Sequence, residues 1–237
     1  YGLNLRTLTG NVYVIDNTFA NFYGISGSSL TFGVMAKAEG TSRFYIMNNR
    51  FSNFYSPSTY NQANTSQIVP LAAINIWSTN AYNVISGNVV TNFVETATIN
   101  NVVIHGIHCD FYEPGEHIVE KNHISNIRNY SNVTNYGDGC VGIWVRTYGK
   151  IYNNVVSVGV DSAGAMTMNT MPHMGICAGT GAQLYNNSIY VGINQLTAQT
   201  YGINGGSFIR NNIIVNDRDT TKSIFGSAAL ANNVYKY

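Results

Sequence analysis

Charge is the scarcest commodity in this 237-residue chain: Asp, Glu, Lys and Arg make up 10% of it and the formal net charge is +1. So weak a field carries no electrostatic footprint for nucleic acid or for an anionic membrane surface, and neither is expected as a partner. There are 4 prolines, 3 cysteines and 2 tryptophans. No run of about 18 apolar residues is present, so no membrane-spanning segment is expected. No apolar stripe at helical spacing recurs either, which argues against helical repeats. Cys109, Cys140 and Cys177 fall in different columns when the repeats are aligned, so strand register offers them no disulfide and free thiols are expected.

What the chain has instead is Asn, 33 of them, and a repeat built on one. With that Asn as position zero, the zeros are Asn17, Asn49, Asn88, Asn122, Asn154, Asn187, Asn212 and Asn233. Three residues before each stands an apolar residue (Val14, Ile46, Ile85, Val119, Ile151, Leu184, Ile209, Leu230), and another stands two residues after it. A second anchor precedes the Asn: Gly2–Leu3, Gly33–Val34, Ala73–Ile74, Gly106–Ile107, Gly142–Ile143, Gly175–Ile176, Gly202–Ile203 and Gly226–Ser227. Zero-to-zero spacings of 32, 39, 34, 32, 33, 25 and 21 residues lie in the range of solenoids, propellers and repeat arrays.

Each repeat holds short β-type runs separated by Gly, Asn, Ser and Thr. A propeller blade needs four antiparallel strands joined by tight hairpins, whereas here insertions change the repeat length and the anchors stay fixed. The expectation is an all-β, right-handed parallel β-helix of about eight coils. The repeated Asn would form a ladder of side-chain amides at a bend, each satisfying the next. The residue before it, usually Asn or Gly, suits the left-handed conformation that a sharp bend requires. Residues 1–237 read as one domain, tapering toward the C-terminus. Since the chain starts with Tyr1 inside a repeat, it reads as a piece of a longer protein whose ends meet adjoining coils or copies.

The segments Tyr185–Tyr190, Tyr201–Gly206 and Arg210–Asn216 resemble the right-handed β-helix repeats of large secreted or cell-surface proteins of Bacteroidetes, within the pectate-lyase-like β-helix superfamily. The likeness covers all eight repeats and is tightest from about Val141 onward. It implies export, surface display and linkage to carbohydrate recognition or adhesion. The same fold also houses pectate-lyase-like enzymes and phage tailspikes, so the resemblance does not select one activity.

Period-two alternation along the first strand of each repeat sorts its residues. With Leu3, Val34, Ile74, Ile107, Ile143, Ile176, Ile203 and Ser227 pointing in, the column Tyr1, Phe32, Ala72, His105, Val141, Met174, Tyr201 and Phe225 is expected to point in as well. His105 is then a buried histidine satisfied by backbone. The outward columns are Asn4, Met35, Asn75, His108, Trp144, Cys177, Asn204 and Arg6, Lys37, Trp77, Asp110, Arg146, Gly179, Gly206. Both tryptophans and several of the few charges therefore share one face.

Anchor-to-Asn spacings of 15, 16, 15 and 16, followed by 12, 12, 10 and 7, predict a raised lip beside the first half of this face, formed by segments such as Ser78–Ala81 and Tyr112–Glu116. Longer excursions at Phe54–Leu71, Val94–Asn101, Arg128–Cys140 and Val160–His173 are candidates for an opposite wall.

Asp110 and Arg146 occupy one column on successive repeats, which a simple cross-strand ion pair explains. The functional reading is a glycan subsite formed by Trp77, His108, Asp110, Trp144 and Arg146, with Lys37 beside it. Aromatic faces would stack on sugar C–H surfaces and the cations would meet carboxylates or sulfates. A lyase would draw its base and anion-neutralising group from Lys37, His108 and Arg146. The acidic cluster that calcium requires is missing, as are the paired carboxylates of a hydrolase. No cofactor is expected. His105, His108, His117 and His123 lie near Cys109 in sequence, but alternation sends them to different faces, so no metal site is expected. The function expected is a non-catalytic surface-display or adhesion module that binds a polysaccharide or cell-surface glycan. The alternative is a lyase or epimerase acting on uronate-containing polysaccharide.

Overall fold

The computed structural model describes residues 2–6, 10–24, 31–38, 42–57, 71–79, 82–96, 102–131, 139–167, 172–192, 200–217, 222–226 and 229–236. These residues form twenty-four β-strands and no helix, in three parallel sheets of eight strands each, an arrangement compatible with a parallel β-solenoid. Each repeat contributes one strand to each sheet, and each strand pairs with its equivalent in the neighbouring repeats.

The first sheet is β1 (Leu3–Arg6), β4 (Thr31–Ala38), β7 (Leu71–Ser78), β10 (Ile104–Phe111), β13 (Cys140–Val145), β16 (His173–Ala178), β19 (Thr200–Gly205) and β22 (Lys222–Phe225). The second is β2 (Asn11–Ile15), β5 (Arg43–Met47), β8 (Val84–Ser86), β11 (Ile118–Glu120), β14 (Tyr148–Tyr152), β17 (Gly181–Tyr185), β20 (Phe208–Arg210) and β23 (Ala229–Ala231). The third is β3 (Thr18–Tyr23), β6 (Arg50–Ser56), β9 (Val89–Glu95), β12 (His123–Asn129), β15 (Val155–Val158), β18 (Ser188–Val191), β21 (Ile213–Asn216) and β24 (Val234–Lys236).

The repeated Asn stands at the bend between the second and third sheets. From Asn17 to Asn212, each Asn donates its backbone N–H and a side-chain N–H to Oδ1 of the next, over 2.9–3.1 Å. The second amide hydrogen reaches back to a carbonyl of the preceding repeat, as from Asn122 to Ile85 and from Asn154 to Val119. Asn49 through Asn212 are buried, and this pattern leaves none of their amide groups unpaired, which is what burial demands. The preceding residue has positive φ in all eight repeats: Asp16, Asn48, Gly87, Lys121, Asn153, Asn186, Asn211 and Asn232.

The inner columns of all three sheets merge into one apolar core that includes Val34, Ile74, Ile107, Ile143, Ile176 and Ile203. Alternation does not run unbroken through the first sheet. Leu71, Ile104 and Cys140 point in, and so do the anchor Gly and the residue after it, leaving two successive inward positions in each strand. A Cβ built on Gly33, Gly106, Gly142 or Gly175 would run into Phe51, Ile124, Val156 or Ile189 of the third sheet. Only an anchor without a large side chain fits there, and Ala73 fills the same register in the third repeat.

This extra inward step corrects one expectation: Phe32, Ala72, His105 and Met174 lie with the outward residues. Phe32 and Ala72 form a separate small cluster with Val103 and Met35, and Asn204 donates to the Met174 sulfur at 3.4 Å. The eighth anchor is also corrected. Pairing aligns Ile203 with Ile224, so Ser223–Ile224 holds the anchor place rather than Gly226–Ser227, and the last two repeats have the same anchor-to-Asn spacing. Tyr1, Ser227 and Asn80–Ala81 of the expected lip lie outside the described residues, as do parts of each expected wall segment. None of the three cysteines is joined in a disulfide.

Candidate functional site

Register across the first sheet assembles the outward residues named from the sequence. Lys37 pairs with Trp77 and Trp77 with Asp110, while Asn75 pairs with His108, His108 with Trp144, and Trp144 with Cys177. The extra inward step at Gly106 leaves His105 and His108, three residues apart, next to each other on the same face. Their Nδ1 atoms are 2.8 Å apart and the rings stack.

From this pair a polar chain runs across the sheet. His108 Nε2 lies 3.3 Å from Asp110 Oδ2, and Arg146 Nη1 lies 3.4 Å from Asp110 Oδ1. Arg146 also donates to the Tyr112 hydroxyl, and its guanidinium lies 5.0 Å from the Tyr112 ring centre. Tyr112 meets Trp77 edge-on at 5.4 Å, and Lys37 Nζ sits 4.5 Å over the Trp77 ring. All six residues singled out from the sequence, Lys37, Trp77, His108, Asp110, Trp144 and Arg146, belong to this one neighbourhood.

They are not equally accessible, which is the main difference from the expected open face. His108 is 2% and Asp110 3% exposed, while the Arg146 side chain keeps 28%. Asp110 is a carboxylate taken out of water, with the Arg146 guanidinium hydrogen-bonded to one oxygen and the His108 imidazole 3.3 Å from the other. The ion-pair explanation of Asp110 and Arg146 therefore holds in the structure. Trp144 stacks on His108 with ring centres 4.3 Å apart and planes 8° off parallel, so one of its faces is already covered. Lys37, Trp77, Tyr112, Trp144 and Arg146 are half-buried, and of these Lys37, Trp77, Tyr112 and Arg146 form one run.

The lip segment after β10 is tied down by a third histidine. His117 Nε2 is 3.0 Å from the Glu113 carbonyl and its Nδ1 is 3.1 Å from the Asn83 amide nitrogen, so Nε2 carries the proton and Nδ1 accepts. Its ring stacks on Phe111. Burial lowers its pKa below the usual imidazole value, against the raising effect of the Glu113 hydrogen bond. Cys109 lies inside the core, where burial, and then Asp110, hold the thiol well above its ordinary value, so it is no nucleophile. Among the described residues no cluster of three His, Cys, Asp or Glu side chains has the arrangement to hold a metal ion.

Two participants escaped the sequence. Tyr112 reads as part of the lip, yet it leans back onto Trp77 and Arg146. His105 reads as core, because the inward step at Gly106 cannot be seen in a period-two pattern. No family model, no curated protein and no solved structure matches this chain.

Proposed function

We propose that the chain is a right-handed parallel β-helix of about eight coils with an asparagine ladder, acting as a non-catalytic display or adhesion module of a secreted or cell-surface protein. The right hand follows the general rule for crossover connections between parallel strands. Export agrees with the charge-poor, Tyr- and Asn-rich composition.

Within that reading, the outward face of the first sheet binds a polysaccharide or cell-surface glycan. One observation carries it: the half-exposed run Lys37, Trp77, Tyr112 and Arg146, in which two rings are flanked by two cations. Such a run offers apolar C–H contact together with charge-assisted hydrogen bonds. It lies across repeats about 4.8 Å apart, so contacts are shallow and repeated, and long chains gain from multivalency.

The alternative is a lyase or epimerase acting on uronate-containing polysaccharide, and the gathering of Lys37, His108 and Arg146 on one face favours it. Against it stands the engagement of His108 with both His105 and Asp110 in a buried position.

Glycan-array screening followed by titration tests the module. Trp77→Ala is expected to weaken binding by about 1 kcal/mol or more. Unchanged affinity, with the fold intact, places the glycan elsewhere. Incubation with uronate-containing polysaccharides tests the alternative through the ultraviolet absorbance of an unsaturated product. Steady growth of that signal, abolished by Lys37→Ala or Arg146→Ala, overturns the non-catalytic reading.

A further inference from the structure

The second sheet presents an aromatic outward face that plays no part in the site above. Register places Tyr13 beside Tyr45, Tyr152 beside Tyr185, and Tyr185 beside Arg210, with Phe208 next to Gln183. Tyr13 is 59% exposed, and Tyr45, Tyr148, Tyr152, Tyr185 and Phe208 are half-buried. The Tyr148 ring lies over Gly181, where a Cβ would run into it. A residue without a side chain is what lets that ring rest against the next strand. Tyr185 and Phe208 follow at 5.7 Å, tilted by 58°.

The charges on this face are already engaged. Lys150 is 3.6 Å from Glu116 and Lys121 is 3.5 Å from Glu120, while Arg43 lies over Tyr82 at 5.5 Å and Arg210 over Phe208 at 3.8 Å. The hydroxyls are directed sideways: Tyr185 donates to Gln183 at 2.7 Å, and Tyr152 bonds to Glu120, so that burial first and then this bond raise its pKa to about 12. The face therefore offers rings framed by fixed polar groups and no free charge of one sign. Eight strands at about 4.8 Å, with two or three outward residues each, give a strip roughly 34 Å long and about 7–13 Å wide. That is at most about half of the roughly 800 Å² per partner that a stable protein interface buries. It is long and narrow enough to match one extended polymer chain.

We infer that the outer face of the second sheet binds a single chain of a neutral polysaccharide, laid across the repeats on Tyr148, Tyr152, Tyr185 and Phe208. Ring faces meet the C–H faces of successive sugars, and Gln183 and Glu120 take hydroxyl hydrogen bonds. This surface is separate from the first-sheet site and does not depend on it.

The test is retention on five probes: laminarin, mixed-linkage β-glucan, xylan, insoluble cellulose and insoluble chitin. The full chain is compared with Tyr148→Ala/Tyr185→Ala, with Phe208→Ala as a milder second variant, and with Trp77→Ala. Thermal melts accompany each variant. Retention on at least one probe is expected. It should weaken about fivefold or more in the tyrosine double variant and measurably in Phe208→Ala. No retention on any probe overturns the inference. Loss in Trp77→Ala with retention in the tyrosine variant also overturns it and assigns binding to the first sheet. Concentration-dependent self-association that the tyrosine variant abolishes, without glycan retention, identifies the strip as a protein interface and overturns it as well.

Discussion

The first four repeats and the last four share one bend and differ in width. The Asn row runs from Asn17 to Asn233 without a change of pattern. Around it, the first half adds a second row: Asn53 donates to Asn21, Asn92 to Asn53 and Asn126 to Asn92, each with positive φ. Each of these is one extra left-handed residue in a third-sheet strand. The register between β12 and β15 shifts by one residue between Ile124 and Ile127, where that extra residue disappears. Side-chain size follows. Phe22, Phe54 and Phe93 stack along the first half, whereas Val158 and Val191 stand in the equivalent places of the second. A longer path around the core encloses more volume, and larger side chains fill it. The polar row fixes where the chain turns, and the apolar columns fix how wide it is.

The largest expected effect tests what the halves share. Asn122→Leu strands the backbone and side-chain N–H of Asn88 and the Ile85 carbonyl in the interior. At about 1–3 kcal/mol for each stranded group, a loss of roughly 3–9 kcal/mol is expected in chemical denaturation, and Asn187→Leu should match it. A clear inequality between the two would show that the row matters differently in the two halves.

Next comes the core, where the halves should separate. Phe54→Ala opens a cavity between Phe22 and Phe93 and should cost about 3–5 kcal/mol, whereas Val191→Ala removes far less volume and should cost about half of that or less. Equal losses would mean that the narrow half is packed no differently from the wide one.

The second Asn row gives a smaller contrast within the first half. Asn92→Gly keeps the left-handed backbone but breaks the bonds to Asn53, Asn126 and Tyr55, a loss of about 1–2 kcal/mol. Asn126 ends the row with its buried Oδ1 unpartnered, since the next repeat has no amide to offer. Asn126→Gly removes that orphan together with one hydrogen bond and should change stability by less than about 0.5 kcal/mol. Urea midpoints of the two variants decide the matter.

The smallest effect depends on pH and belongs to the first half alone. His117 is neutral in the fold with its pKa lowered, and Gly149 holds the equivalent place in the fifth repeat. Below the usual imidazole value of 6.5 the unfolded chain binds the proton more readily than the folded one. The histidine's stabilising contribution is therefore complete above that pH and is lost as pH falls through the lowered folded value. His117→Gln should flatten the fall in urea midpoint between about pH 7 and about pH 5. An unaltered slope would assign the acid sensitivity to other groups.

The sequence alone determined the parallel stacking, the Asn row and the left-handed residue before it. Each is a local requirement repeated eight times: an amide that must pair with its own copy, a bend that needs positive φ, apolar residues at fixed offsets. It also brought Lys37, Trp77, Asp110 and Arg146 into one column, because register follows from the anchors. Tertiary structure alone decided the rest. The glycine anchor faces in because Phe51, Ile124, Val156 and Ile189 arrive from another sheet and leave no room for a side chain. That step moved His105 onto the outer face, and packing around His108 and Asp110 closed what alternation had left open. Tyr112 and the tyrosine strip of the second sheet likewise depend on where rings come to rest on neighbouring strands. Spacing along one strand carries no trace of such contacts, since they form between residues about thirty positions apart.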